Sequence, residues 1–293
     1  LNGVINIDKP AGMTSHDVVY RVRKLAGQKR VGHAGTLDPD ATGVLLVCLG
    51  YATRLSDLLA DQGKSYEAVL RLGQTTSTED SSGTVLTEAD PSGVTESDLL
   101  ALLPRFTGAI EQIPPMVSAV HHNGQRLYDL ARQGITVERE ARTIEIESIE
   151  LLSFSPGAEC SAALRVCCGK GTYIRTLCAD IGAALGVGGH MALLRRTSVS
   201  VFNASDAVPL DALTKENFPK WVTSSSDAVA FLPSTELDDQ QLADVLNGKK
   251  FECLLTFEQD QLVRLLRGDE LLGLGRYADG FLQPEKVFPP VEE

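Results

Sequence analysis

Asp38 lies inside the run Gly32-His33-Ala34-Gly35-Thr36-Leu37-Asp38-Pro39-Asp40-Ala41-Thr42-Gly43-Val44-Leu45, between an apolar leucine and a proline in a loop punctuated by glycine. Pro39 fixes its own φ and biases Asp38 toward extended backbone, while Gly35 and Gly43 relax the steric limits on either side. An isolated Asp-Pro is only a turn signal. The length of this pattern argues instead for a carboxylate positioned to react. Such a group has to stay ionised where water is excluded, and ionisation in a dry site requires a paired cation.

Several elements must position that loop. Thr14-Ser15-His16-Asp17 ahead of Val18, Val19, Val22 and Leu25 predicts a helix with Ser15 as its N-cap and Gly27 as its stop. Residues 66–73 alternate in strand fashion, and residues 75–83, rich in Thr, Ser, Asp and Gly, read as a polar loop. Thr95 with Asp98 opens a second helix carrying Leu99, Leu102, Leu103 and Phe106. Gln112-Ile113-Pro114-Pro115 is a turn, and residues 143–152 and 162–168 alternate again. Strands with few helices between them predict an α+β body built on a mixed, largely antiparallel sheet. After Phe202 the pattern changes. Residues 1–202 read as the body, 203–235 as a connecting segment, and 236–293 as a small β-rich module with a turn at Asn247-Gly248-Lys249 and strands joined by Gly268-Asp269.

A chain of 293 residues has room for that arrangement. Its formal net charge of −12 argues against nucleic acid at first sight. The charge is uneven, however: from Asn203 onward 17 acidic residues face 8 basic ones, against 22 and 19 before it. Arg21, Arg23, Lys24, Lys29 and Arg30 cluster just ahead of the Asp38 loop, and Arg195-Arg196 follow a glycine-rich segment. Local positive potential can coexist with negative net charge. Cys48, Cys160, Cys167, Cys168, Cys178 and Cys253 show neither Cys-x-x-Cys nor histidine at ligand spacing, so buried thiols and no metal are expected. A chain with no basic leader and no apolar run of spanning length is expected to be cytoplasmic and free of the membrane.

Five segments stand out in order along the chain. They are Lys9-Pro10-x-Gly12-Met13-Thr14-Ser15-His16; the Asp38 loop, continued by Leu49-Gly50-x-Ala52-Thr53-Arg54; Lys64-x-Tyr66 running to Leu72-Gly73 and Thr76-Ser77-Thr78-Glu79-Asp80-Ser81-Ser82-Gly83; Gln112-x-Pro114-Pro115 to Ser118-Ala119, then Gly124, Tyr128, Ala131-Arg132-x-Gly134 and Arg142; and Gly169-Lys170-Gly171-Thr172-Tyr173-Ile174-Arg175-Thr176-Leu177, through Asp180-Ile181-Gly182 to Leu194-Arg195-Arg196-Thr197. Together they resemble the TruB family of tRNA pseudouridine-55 synthases. Val117 and His121 depart from it, standing where the family often has Tyr and Lys.

That resemblance implies a pseudouridine synthase fold with a PUA-like C-terminal domain. It implies an RNA isomerase that converts uridine 55 in the T-loop of tRNA without a cofactor. Asp38 would be the nucleophile, attacking either C6 of the base or C1′ of the ribose. Arg175 would be its cation, Tyr66 the residue stacking on the base, and Tyr173 a support that hydrogen-bonds to Asp38 and Arg175. The target base must be flipped out, at a cost of roughly a few kcal/mol, and His33 matches the residue that wedges into the opened space. Lys9, Lys64 and the loop carrying Asp80 would touch RNA, with Asp80 shaping its loop or reading a base edge, and Leu194 would line the pocket. The residues alone add one point: Arg175 opens an apolar-periodic helix, where the macrodipole disfavours a cation, as expected of a residue placed for function. The chain is expected to act as a monomer on the T-arm without a guide RNA. The rivals are a guide-RNA-dependent synthase and a non-catalytic tRNA-binding folding helper.

Overall fold

The computed structural model describes residues 1–118, 120–122 and 124–289. The body is one mixed sheet of 11 strands among those residues. Its main path runs from Val208–Pro209 through Gly3–Lys9, Thr42–Leu49, Gly189–Val199, Lys64–Leu72, Ser161–Cys168 and Arg142–Ser155 to Gly108–Gln112. Most neighbours are antiparallel, whereas Gly189–Val199 meets Thr42–Leu49 in parallel, with Arg195 opposite Thr42 and Arg196 opposite Gly43. The strand Lys64–Leu72 alternates buried and half-buried residues along its length, as a sheet covered mainly on one face requires.

The helix Ser15–Ala26 packs Val18, Val19 and Val22 into the core beneath the sheet. Its cap differs from the expectation. Thr14, not Ser15, is the N-cap, and its hydroxyl and Asp17 form a reciprocal capping box. Ser15 is 2% exposed and its hydroxyl is engaged elsewhere. Gly27 ends the helix at φ +62°, a left-handed value that suits glycine. Thr95 and Asp98 likewise cap Glu96–Leu102 with a second box. The expected polar loop of residues 75–83 is partly ordered, since Gln74–Thr76 pairs with Val85–Glu88.

The segment after Phe202 also departs from the expectation of a connector. Val208–Pro209 adds in parallel to the first strand, and Val222–Thr223 pairs antiparallel to the same strand through Thr223 to Val4 and Val222 to Ile5. A polar composition hid these two-residue strands from pattern reading. A second sheet of five strands follows, in the order Ser234–Glu236, Leu262–Arg267, Glu270–Ala278, Phe281–Val287, Phe251–Glu252. Leu271, Leu274 and Phe288 pack with Val4, Leu46 and Leu59 of the body in one buried cluster. Lys286 donates to the Arg54 carbonyl across the same seam, and Arg54 donates to that of Val287. Among the described residues no helix is long and apolar enough to cross a membrane.

Candidate active site

The Asp38 loop is held carbonyl by carbonyl. Arg196 Nη2 donates to Gly35 O at 3.1 Å and Nη1 to Thr36 O at 3.3 Å. Ser15 Oγ donates to Leu37 O at 3.1 Å and accepts from Leu37 N at 2.9 Å. Ala41 N closes a turn on Asp38 O at 3.1 Å, and Pro39 O receives Lys9 Nζ at 2.8 Å and Met13 N at 3.3 Å. Every carbonyl of residues 35–39 therefore has a donor, so the reacting side chain projects from a backbone with little freedom. Gly35 and Gly43 take φ +89° and +98°, the relaxed conformations the sequence called for. At Gly43 a Cβ would also stand 2.1 Å from the Arg196 carbonyl.

Asp38 faces a cleft of about 890 Å³ whose lining includes His33, Tyr66, Tyr173, Arg175 and Leu194. Arg175 Nε lies 3.0 Å from Asp38 Oδ2, and Nη2 donates to Oδ1 at 3.4 Å. The guanidinium is 5% exposed and the carboxylate 37%, so the cation sits beneath an anion that remains open to the cleft. Val117 O takes the other Nη2 bond at 2.9 Å and Thr78 O takes one from Nη1 at 3.3 Å. Asp80 Oδ2 stands 3.7 Å from Nη1. Burial pushes the Asp38 carboxyl above the ordinary aspartate value, while Arg175 pulls it back down, Asp80 raises it and Lys9 lowers it. The arginine thus opposes the desolvation cost without cancelling it, and the carboxyl stays raised on balance.

Tyr66 is 7% exposed on the strand Lys64–Leu72, directly opposite Arg196. Burial raises its phenol, with the Arg196 charge opposing, so the hydroxyl is neutral at ordinary pH. Tyr173 precedes the helix Ile174–Ala184 as its N-cap. The Gln112 side chain clamps its peptide, donating to Tyr173 O at 3.0 Å and accepting from Tyr173 N at 2.8 Å. Among the described residues no hydrogen bond joins the Tyr173 phenol to Asp38 or Arg175, so the expected direct support is corrected to a wall of the cleft held by its backbone. His33 is half-buried on the strand Val31–Ala34, with Nδ1 buried and unpartnered. Burial, then His16 and Arg196, lower its pKa, leaving a neutral ring.

The two lysines are displaced from the role expected of them. Lys9 is 0% exposed and bonds the carbonyls of Pro10 and Pro39, so it braces the loop from behind. Lys64 is 9% exposed and donates to Ala60 O and Gln62 O from the floor of the cleft. Asp80 shapes its own loop: Oδ1 accepts from Thr78 Oγ1 and from Ser82 N and Oγ. Arg195 is paired with Asp8, and Arg196 is 1% exposed, so neither is the free surface cation that the sequence suggested. Ala119 and the side chains of His121 and Arg132 lie outside the described residues. Ser15, Gln112 and Arg196 are site residues that sequence reasoning missed. No alternation marks Arg196 as inward-facing, because the strand Gly189–Val199 is broken by register shifts at Met191/Leu193 and Arg196/Ser198.

Among the described residues no group of three or more His, Cys, Asp or Glu side chains could hold a metal ion. The lining supplies an arginine-paired carboxylate, the phenols of Tyr66, Tyr128 and Tyr173, and the imidazoles of His16 and His33, all from one chain.

Comparison with known proteins points one way. Residues 23–174 match the TruB family pseudouridylate synthase N-terminal domain, and residues 175–246 the tRNA pseudouridylate synthase B C-terminal domain. The chain is 42% identical over 297 residues to tRNA pseudouridine synthase B of Heliobacterium modesticaldum, covering 100% of this chain and 97% of that one. It is 47% identical over 246 residues to that of Saccharophagus degradans, covering 82% and 79%. Among solved structures it is similar to a Cbf5-Nop10-Gar1 complex, with TM-score 0.75 and 31% identity over 98% of this chain and 85% of that one. An H/ACA RNP bound to a substrate RNA containing 2′-deoxyuridine gives TM-score 0.75 and 30% identity over the same shares. By the breadth of these matches, the chain belongs to the TruB family of pseudouridine synthases, which are isomerases.

Proposed function

We propose that this chain converts uridine 55 in the T-loop of tRNA to pseudouridine as a stand-alone cytoplasmic enzyme, with Asp38 as nucleophile. The side-on pairing of Asp38 with Arg175 carries this reading: it sets a cation against a carboxylate that faces a cleft from which bulk water can be displaced. Asp38 adds to the everted nucleotide at either C6 or C1′, the N1–C1′ bond breaks, the base turns and C5 bonds to C1′; the bond to Asp38 then breaks, the C5 proton is lost to solvent and N1 ends protonated. The isomerisation is redox-neutral, and no cofactor enters it.

Tyr66, a neutral phenol that lines the cleft, stacks on the base and assists removal of the C5 proton. His33, uncharged at the cleft wall, suits a wedge that fills the space the base leaves. That every one of these groups comes from a single chain supports the stand-alone reading.

Purified protein incubated with unmodified tRNA, with no added RNA or protein, is expected to form pseudouridine at that one position. Asp38→Asn, nearly isosteric, is expected to bind tRNA and form none. Product only when a guide RNA is supplied favours the guide-dependent rival, and tRNA binding by wild type without product favours the folding helper.

A further inference from the structure

Glu79 has φ +64°, a left-handed conformation that is costly for a residue with a Cβ. Such strain persists only where the surroundings over-determine it. Here they do. Met191 N donates to Glu79 O at 2.9 Å, Ser81 N donates to Met191 O at 3.1 Å, and the Glu79 amide donates to Thr76 O at 3.2 Å. The Glu79 side chain then turns to the helix Ile174–Ala184, where Oε2 accepts from the buried Thr176 hydroxyl at 2.6 Å.

Thr176 follows Arg175, and the neighbours of Glu79 hold the guanidinium. Thr78 O accepts from Arg175 Nη1 at 3.3 Å, and Asp80 Oδ2 lies 3.7 Å from the same nitrogen. Three consecutive loop residues thus grip two consecutive helix residues. The side chain of the middle one forms a direct tie between loop and helix beside the reacting pair.

We propose that Glu79 is a positioning residue: its bond to Thr176 fixes the turn of residues 78–80 against the helix and so sets how the Arg175 guanidinium is shared between Asp38 and Asp80. The inference rests on the reading of Asp38 as nucleophile. Freeing the turn removes the Thr78 carbonyl and Asp80 from Nη1, and the guanidinium can rotate away from its side-on contact. Arg175, Asp80, Lys9 and Asp40 are the charged groups acting on Asp38, and Arg175 outweighs Asp80 among them. Loosening the arginine therefore raises the Asp38 pKa more than withdrawing Asp80 lowers it. On the far side Glu79 faces Cys178 and Asp180 of the helix, and partial burial with the Glu79 charge pushes the Asp180 carboxyl up to about 6.

The test compares wild type, Glu79→Ala, Glu79→Gln, Glu79→Gly and Thr176→Val by kcat and KM on unmodified tRNA from pH 5 to 8, by Tm, and by carbon-13 NMR titration of the Asp38 carboxyl. Glu79→Ala and Thr176→Val are expected to move the Asp38 titration and the acid limb of kcat up by about half a pH unit, about threefold in rate on that limb, with KM unchanged. The double variant is expected to match either single one. Glu79→Gln keeps a carbonyl acceptor for Thr176 and is expected to retain the wild-type titration. Glu79→Gly relieves the backbone and so keeps Tm, yet is expected to show the same upward shift. An Asp38 titration unmoved in Glu79→Ala and Glu79→Gly, or a change confined to Tm or KM, overturns the proposal. A wild type that forms no pseudouridine overturns the reading of Asp38 instead, while the NMR titration still decides the role of Glu79.

Discussion

Arg175 meets Asp38 along the edge of its guanidinium, Nε 3.0 Å from Oδ2 and Nη2 3.4 Å from Oδ1, while its other nitrogen is held by Thr78 and Asp80. A planar fork can serve both sides at once; a lysine ammonium cannot. Charge alone is therefore not what the position demands.

Arg175→Lys is expected to lower kcat by about 10²-fold, or about 3 kcal/mol of transition-state stabilisation, with KM changed only slightly. Single-turnover kinetics on tRNA read this directly. A lysine variant within threefold of wild type would show that the fork geometry is dispensable.

Arg196 is the largest fully buried side chain among the described residues and ties together Gly35 O, Thr36 O and Val44 O. Arg196→Met leaves these carbonyls without donors, and an expected loss of about 3 kcal/mol follows. Urea unfolding measures it, and kcat is expected to fall further than global stability explains because residues 35–36 lead into Asp38. Gly43→Ala, which drives a Cβ into the Arg196 carbonyl at positive φ, is expected to weaken the same junction.

Burial lowers the Lys9 ammonium from 10.5 to about 8. A folded pKa below the unfolded one means that the contribution is fully present above pH 10.5 and is lost as pH falls through 8. Wild type is expected to gain on the order of 1 kcal/mol over Lys9→Met between pH 7 and pH 10. Denaturant melts at the two pH values test the sign, and a wild type that loses stability relative to Lys9→Met on raising pH contradicts it.

The reacting carboxylate was legible because its loop is a continuous stretch of chain, and the resemblance supplied the residues that meet it from elsewhere. What holds the loop was not. Ser15 read as an N-cap because a hydroxyl before an apolar-periodic run suits that role, and only three-dimensional packing sends it to Leu37. Arg196 read as surface charge because a buried guanidinium is rare unless carbonyls converge on it, and that convergence is a property of the folded sheet. Lys9 was misplaced for the same reason. The antiparallel body followed from alternation, whereas Val208–Pro209 and Val222–Thr223 are too short to leave any period.

Those two short strands bear on how the chain comes off the ribosome. The first strand waits for about two hundred later residues before its outer edge is occupied. Until residue 223 is out, that edge offers bare amides and carbonyls to any neighbouring nascent chain. A fragment cut at residue 202 would keep the whole cleft and still be the more aggregation-prone molecule.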